Sequence, residues 1–560
     1  MEQIKLRQPE ILVWEGVEIR LANSFGVSLG QVKGGFLTMS GKRLIEPSTW
    51  NRLRLVLTRE IAIVAVIFVW ACLWRLPFFF PAAVDWDESG FIIMGQGILD
   101  GLLPYDALWE MKPPLVYAFF AAAIGIFGKS IVAVRFAGCL WITIAAYLTY
   151  RSAYVITLET KVSLAAAALL VAATSVLAPS VMAECLALVP LVGALLLLLT
   201  ADRTPLMCLL VGILLGTAAM FRTNLAYLAV FVGLFIVIYP PISSIPRLFA
   251  RAAAYVVGGI AVVITTALPY FVQGRLGLWL DNVFMFPLLY SQTRRSIGNA
   301  FGLVQAAFWD PFSNLQVPQS LLCSLLWVGG SLGVFFYFYR RQELPSTVRY
   351  QLAAVLVLLI GSTFSVFMTG PAYTHYLVQL APWFAIFSAW ALSSQTNKTT
   401  RFIFDAVAGV VLLIATLLVL PNEYSNLQER LLNHKSVYTG REYAIANYLQ
   451  QENPENRPVF LLSDIIVYWL IGQYPPTRLA NHPSNFAKAY MVAAVEGTNA
   501  TPASEMARIL SRRPSFIIKT KKLWYLRKYS PELVGLLDKA LEEDYFLAEV
   551  IEGAQIYRLK

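Results

Sequence analysis

Charge is scarce in this 560-residue chain. Asp, Glu, Lys and Arg make up 14% of it and hydrophobic residues 58%, with a mean hydropathy of +0.61. A soluble domain would carry about 25% charged residues, so an ordinary water-soluble protein is excluded. Cysteine is scarce too. Cys72, Cys139, Cys185, Cys208 and Cys323 all lie in or beside apolar runs with no CxxC spacing, which excludes a disulfide framework and a cysteine metal site. Only three histidines occur, His375, His434 and His482. No internal repeat or low-complexity tract is present, so the paired halves common in secondary transporters are missing. The excess of basic groups, a net charge of +10, does not indicate nucleic acid. The Lys and Arg residues lie largely between apolar segments, where topology and anionic lipid explain them.

Apolar runs near the roughly 20 residues a crossing needs stand at about 61–80, 131–150, 162–178, 182–201, 205–221, 224–240, 253–273, 319–339, 350–368, 376–394 and 402–420. Residues 1–55 are polar, too long and too charged for a signal peptide, and are expected to form a cytoplasmic extension on the membrane. Arg52, Arg54 and Arg59 precede the first span, which places Asp85 outside. Arg151, Lys161, Arg203, Arg247, Arg251, Arg340, Arg341, Arg349, Lys398 and Arg401 then all fall inside, provided the short run Leu115 to Phe127 lies along the outer interface. The expectation is an α-helical polytopic membrane protein of about 11–13 transmembrane helices. The membrane part is expected over residues 56–420, with outer loops at 81–113 and 274–318. From 421 the composition changes. Strand-like Val459–Leu462 and Ser515–Ile518 alternate with helix-like Arg441–Gln451 and Ser504–Ser511, which predicts an extracytoplasmic α/β domain over 421–560.

Ionisable groups next to a membrane segment are expensive and point to function. Asp85, Asp87 and Glu88 put three carboxylates within four positions just past the first span. One acid suffices to cap a helix; three suggest a general base with a second acid to fix it or to hold a divalent ion. On a helix starting there, Asp85 and Glu88 share a face while Asp87 points elsewhere. Lys112 precedes Pro113-Pro114, which forbids helix before the pair. A lysine there either snorkels to headgroups or ligates a phosphate on the same surface as the acids, and Glu110 stands ready to orient it or to join the acidic site. Arg275, Arg294 and Arg295 lie in the long outer loop with Phe284, Phe286, Tyr290 and Trp309. Arg222 breaks the inside-positive pattern in a short outer turn, facing either a phosphate or the headgroups.

Together Asp87-Glu88, a helix ending at glycine, Pro104-Tyr105-Asp106, Lys112-Pro113-Pro114-Leu115, Phe127-Gly128-Lys129-Ser130 and Arg135 resemble bacterial GT-C glycosyltransferases. The similarity is to the branch that includes the lipid A aminoarabinose transferase and relatives of the protein O-mannosyltransferases. It is tightest over about 80–140 and covers the membrane region more loosely. The resemblance implies a polyprenyl-phosphate sugar donor used at the outer face of the bacterial plasma membrane, with inversion at the anomeric carbon. The acceptor would be lipid A, a glycan or a protein. It makes Asp87 the base, with Asp85 additional, and Lys112 a ligand of the lipid phosphate. Met111 separates Glu110 from the lysine, where the family has the acid adjacent. Glu184 falls where GT-C enzymes often place a second acid, and His375-Tyr376 where a similar His-Tyr lies near the lipid phosphate. A divalent cation is compatible with this family, and no organic cofactor is expected. The competing readings are a transporter or flippase, and a non-catalytic binder of lipid-linked sugars.

Overall fold

The computed structural model describes residues 47–238, 244–292, 302, 305, 318–369, 373–394 and 398–560. Most of the expected N-terminal extension, Trp309 and the pair Arg294 and Arg295 lie outside them. The chain divides into two units, Met1–Ile63 and Val64–Lys560; of the first, the described part is the start of helix α1, Pro47–Arg75.

Among the described residues nine α-helices lead up to the long loop: α1, then α2 (Trp86–Leu99), α3 (Pro114–Phe127), α4 (Ile131–Thr157), α5 (Thr160–Leu177), α6 (Ala183–Thr200), α7 (Pro205–Phe221), α8 (Leu225–Ile238) and α9 (Ile245–Val272). After it come Pro318–Arg340, Ser346–Phe367, Ala381–Ser393 and Lys398–Leu432. Among the described residues eight helices are long and apolar enough to cross a membrane, and α3, α7 and α8 are shorter apolar helices. Backbone polar groups in a bilayer must be satisfied within the segment, which is why each apolar run is helical. Small residues set the closest approaches: a Cβ on Gly212 of α7 would lie 2.1 Å from the Tyr255 carbonyl of α9, and one on Gly258 would lie 2.2 Å from the Leu209 carbonyl. Glycine alone permits that backbone contact, as is usual for helix pairs in membranes.

At one end Arg401 pairs with Glu159, the Arg203 guanidinium lies 3.8 Å over the Tyr350 ring, and Arg340 donates to the Ser394 carbonyl at 2.9 Å. The opposite end carries Glu88, Lys112, Arg135, Glu184, Arg222 and His375. Helix α3 begins and ends there. It runs beside α2 in the same direction, with Phe120 and Ala121 against Gly95 and Gly125 against Leu99. Lys112 before it reaches Asp87, and Lys129 after it lies 5.5 Å over the Trp469 ring of the C-terminal domain.

The composition changes at 421, yet the helix Lys398–Leu432 continues through Pro421. One proline removes one ladder bond, and Tyr424 beyond it is tied to the α1 carbonyl of Leu73 at 2.8 Å. The C-terminal domain holds a four-stranded sheet in the order β1–β2–β4–β3, with strands Val459–Leu461, Phe516–Thr520, Tyr545–Ile551 and Ala554–Leu559 numbered along the chain. β1 pairs parallel with β2 after a helical crossover, and the last two strands form an antiparallel hairpin closed at Glu552-Gly553. The domain sits on α2 and the loop after it. The Trp109 N–H donates to the Arg478 carbonyl at 3.0 Å, and Ala82 N–H to the Thr439 carbonyl at 2.7 Å.

Candidate active site

The three acids at the start of α2 have three different surroundings. Asp85 is the helix cap, its Oδ1 accepting the Asp87 N–H at 2.7 Å. Burial, and then the Asp87 charge beside it, push its carboxyl up to about 6. Glu88 turns into the protein, where its side chain is 1% exposed. One of its oxygens receives Arg135 Nη2 at 2.6 Å and Nε at 3.1 Å, and the other accepts the Val181 N–H at 2.9 Å. Arg135 also donates to the carbonyls of Phe78 (2.7 Å) and Pro81. Glu88 thus anchors α2 to α4 and to the segment before α6.

Asp87 faces outward from this anchor, 24% exposed. Its Oδ2 is 3.2 Å from Lys112 Nζ and its Oδ1 is 3.4 Å from His482 Nε2. The second distance is that of an ion pair, longer than an ordinary N–H···O bond. Burial raises the Asp87 carboxyl, but Lys112 and His482 outweigh it and hold the group well below the usual carboxylate range. Lys112 loses charge stabilisation through burial and regains more from Asp87, so its ammonium is raised. The Lys112 backbone is clamped on both sides. Its carbonyl accepts from Tyr105 at 2.6 Å, and its N–H donates to the Tyr117 hydroxyl at 3.0 Å. Tyr105 holds this position from a left-handed backbone conformation, φ 71°.

A second cluster sits at the start of α6 and the turn between α7 and α8. Arg222 Nη1 lies 2.7 Å from Glu184 Oε1, and His375 Nε2 lies 3.7 Å from the same oxygen. The Arg222 guanidinium stands 4.2 Å over the Tyr376 ring. Arg222 and Glu184 are buried, and such a charge is stable only when paired. Lys112, Arg222 and Tyr376 line one cavity of about 290 Å³ whose other walls include Met220, Tyr227, Phe284, Leu288 and Met368. Lys112 and Arg222 are its cations, and Thr223, Asn224, Ser291 and Thr369 interrupt otherwise largely apolar walls. Part of its wall comes from the helical stretch 276–292, whose centre Asp281–Met285 is a π-turn, a feature common at functional sites.

The structure therefore gathers Asp87, Lys112, Arg222, Glu184, His375 and Tyr376. Arg275 is elsewhere, half exposed and paired with Asp106. Glu110 is buried but does not reach the Lys112 ammonium. Its oxygens accept the Met111 N–H at 2.8 Å and Asn485 Nδ2 at 3.3 Å. Among the described residues no group of three or more His, Cys, Asp or Glu could hold a metal ion. Asp87 and Glu184 both face cationic side chains instead, so no chemical step is assigned to a metal here. His482 and Asn485 were not among the sequence candidates. Both reach this site from the C-terminal domain, and the scarcity of histidine was the sole hint of the first.

The architecture is the GT-C membrane fold. The chain is similar to ArnT from Cupriavidus metallidurans bound to undecaprenyl phosphate, with a TM-score of 0.58 and 13% identity over 89% of this chain and 97% of that one. The apo form of that protein gives 0.56, 13%, 90% and 98%. The archaeal oligosaccharyltransferase AglB from Archaeoglobus fulgidus, in complex with an inhibitory peptide and a dolichol-phosphate, gives 0.51, 13%, 90% and 74%. No family model and no curated protein matches the sequence.

Proposed function

We propose that this protein is a multi-pass membrane glycosyltransferase. It moves a sugar from a polyprenyl-phosphate donor to an acceptor at the outer, periplasmic face of a bacterial plasma membrane. The observation that carries the reading is Asp87 paired with Lys112, which together with Arg222 lines a largely apolar cavity. The similarity to ArnT bound to undecaprenyl phosphate and to AglB in complex with a dolichol-phosphate supports it.

In this mechanism the acceptor oxygen or nitrogen attacks the anomeric carbon opposite the phosphate, which inverts that centre. The new bond forms as the bond from the anomeric carbon to the phosphate oxygen breaks. The acceptor's proton passes to Asp87, and the electron pair leaves with the polyprenyl phosphate. Lys112 and Arg222, with His375 and Tyr376 alongside, meet the charge growing on that oxygen, the kind of preorganised stabilisation that contributes about 3–4 kcal/mol for a well-placed donor. Without donor, Asp87 is a weak base because Lys112 and His482 stabilise its charge. A phosphate that draws Lys112 toward itself weakens this hold, so Asp87 becomes a better proton acceptor once donor is bound. Asp85 caps the helix that carries the base, and Glu88 keeps that helix in place.

Single-turnover transfer of a synthetic polyprenyl-phosphate sugar tests the reading. Lys112→Ala should lower the rate at saturating donor by about 10²–10³-fold as well as weaken donor binding, with partial rescue by Lys112→Arg. Loss of the lysine also removes a charge that holds the Asp87 carboxyl down. The acid limb of the rate profile should therefore move to higher pH. Wild-type rates in Lys112→Ala would remove this residue from the site.

His482 is assigned as the positioning partner of Asp87. His482 Nε2 lies at ion-pair distance from Asp87 Oδ1; loss of such a partly exposed contact costs up to about 1 kcal/mol, so His482→Ala should reduce turnover by about fivefold with little change in donor affinity. His482→Gln, which keeps a donor, should restore part of it. Equal rates in both variants and wild type would make the contact incidental.

A further inference from the structure

We infer that the face formed by Trp86, Trp524 and the basic residues around Trp524 is the acceptor site, and that the acceptor presents a negatively charged saccharide there. The inference rests on the glycosyl-transfer reading and extends it to the second substrate. Trp86 directly precedes Asp87. Its ring is edge-on to His482 at 5.9 Å, the same histidine that lies 3.4 Å from Asp87. The Trp524 ring stacks parallel to it, with centroids 6.2 Å apart and planes at 4°. A short helix, Trp524–Tyr529, turns Tyr525 and Leu526 into the domain core but leaves Trp524 54% exposed.

The parallel indoles, Trp524 half exposed and Trp86 more covered, offer an apolar face on which the C–H face of a sugar ring can lie, and their polar edge tolerates water. Lys521, Lys522, Arg527 and Lys528 flank Trp524 along the chain and are all exposed. Lys528 Nζ lies 5.9 Å from its ring centroid. None of these four forms an ion pair with a described carboxylate, whereas the nearby Lys519 is matched by Asp538 at 3.0 Å. The cations toward the donor phosphate, Lys112 and Arg222, are held by Asp87 and Glu184. The lysines on the domain surface form a separate set next to Trp524, whose ring stacks on the Trp86 that precedes the base. A two-substrate reaction needs such a division, with one anionic ligand entering from the apolar cavity and the other from the aqueous side.

The test uses the full chain in lipid nanodiscs, with a phosphorylated disaccharide, its dephosphorylated parent and polyprenyl phosphate as probes, read by saturation-transfer NMR. The phosphorylated sugar should bind at least about tenfold more tightly than the parent, since opposite charges meet across the interface. Trp524→Ala and the triple variant Lys521→Glu, Lys522→Glu, Lys528→Glu should each weaken it about tenfold or more, with polyprenyl phosphate binding unchanged. Wild-type affinity in both variants would overturn the inference. So would variants that lose adsorption to anionic vesicles but keep the disaccharide, because the patch would then be a membrane contact. Binding that survives Trp524→Ala and vanishes in the triple variant would overturn the saccharide assignment. Failure of polyprenyl phosphate to bind wild type would count against the functional reading, and disaccharide binding is scored independently of it.

Discussion

Asp87→Asn is expected to lower single-turnover transfer by about 10²–10⁴-fold, the usual contribution of a positioned general base, while donor binding changes little. The substitution keeps the shape of the side chain and a partner for Lys112, and removes the capacity to take a proton. Asp85→Asn should cost far less. Asp85 acts through one bond, from its Oδ1 to the Asp87 N–H, and an asparagine can still cap the helix. The two variants together discriminate between the acids. If Asp85→Asn is inactive and Asp87→Asn retains transfer, the base has been assigned to the wrong residue.

Arg135→Leu should be the most destabilising single change near the site. It strands Glu88, 1% exposed, and frees the carbonyls of Phe78 and Pro81 where the chain leaves α1 for the acidic turn. Breaking one side of a buried ion pair costs about 3–5 kcal/mol, so the apparent Tm in detergent should fall by several degrees or more. Glu88→Gln combined with Arg135→Leu should recover part of that loss, because no unpaired charge then remains. A double variant no more stable than Arg135→Leu alone would show that the guanidinium matters through its bonds to the two carbonyls. The same pair explains why an acid adjacent to the candidate base need not do chemistry. Successive helical residues point about 100° apart, and Glu88 takes the buried direction while Asp87 takes the open one.

Local chemistry determined much of this protein without reference to the fold. An apolar run of membrane length has to become a helix because a bilayer leaves its amides no other partner; the spans at 131–157, 160–177 and 183–200 follow directly. A lysine and three acids beside such runs are costly enough to single out, and a proline pair sets where α3 begins. The alternation of β-rich and helix-like stretches after 441 predicted the small mixed sheet for the same reason, since hydrophobic period is a local property. Tertiary structure decided what each group touches. Glu110 and Asn485 meet across 375 residues, and neither local composition nor spacing encodes such a meeting. His482, Trp524 and the lysines beside it look like ordinary domain surface until the C-terminal domain docks on α2. Arg222 reads equally well as a snorkelling residue until the buried Glu184 is found 2.7 Å away. Charges separated along the chain acquire their partners only when packing removes the water between them, and which carboxylate is left beside a cavity is settled at that step.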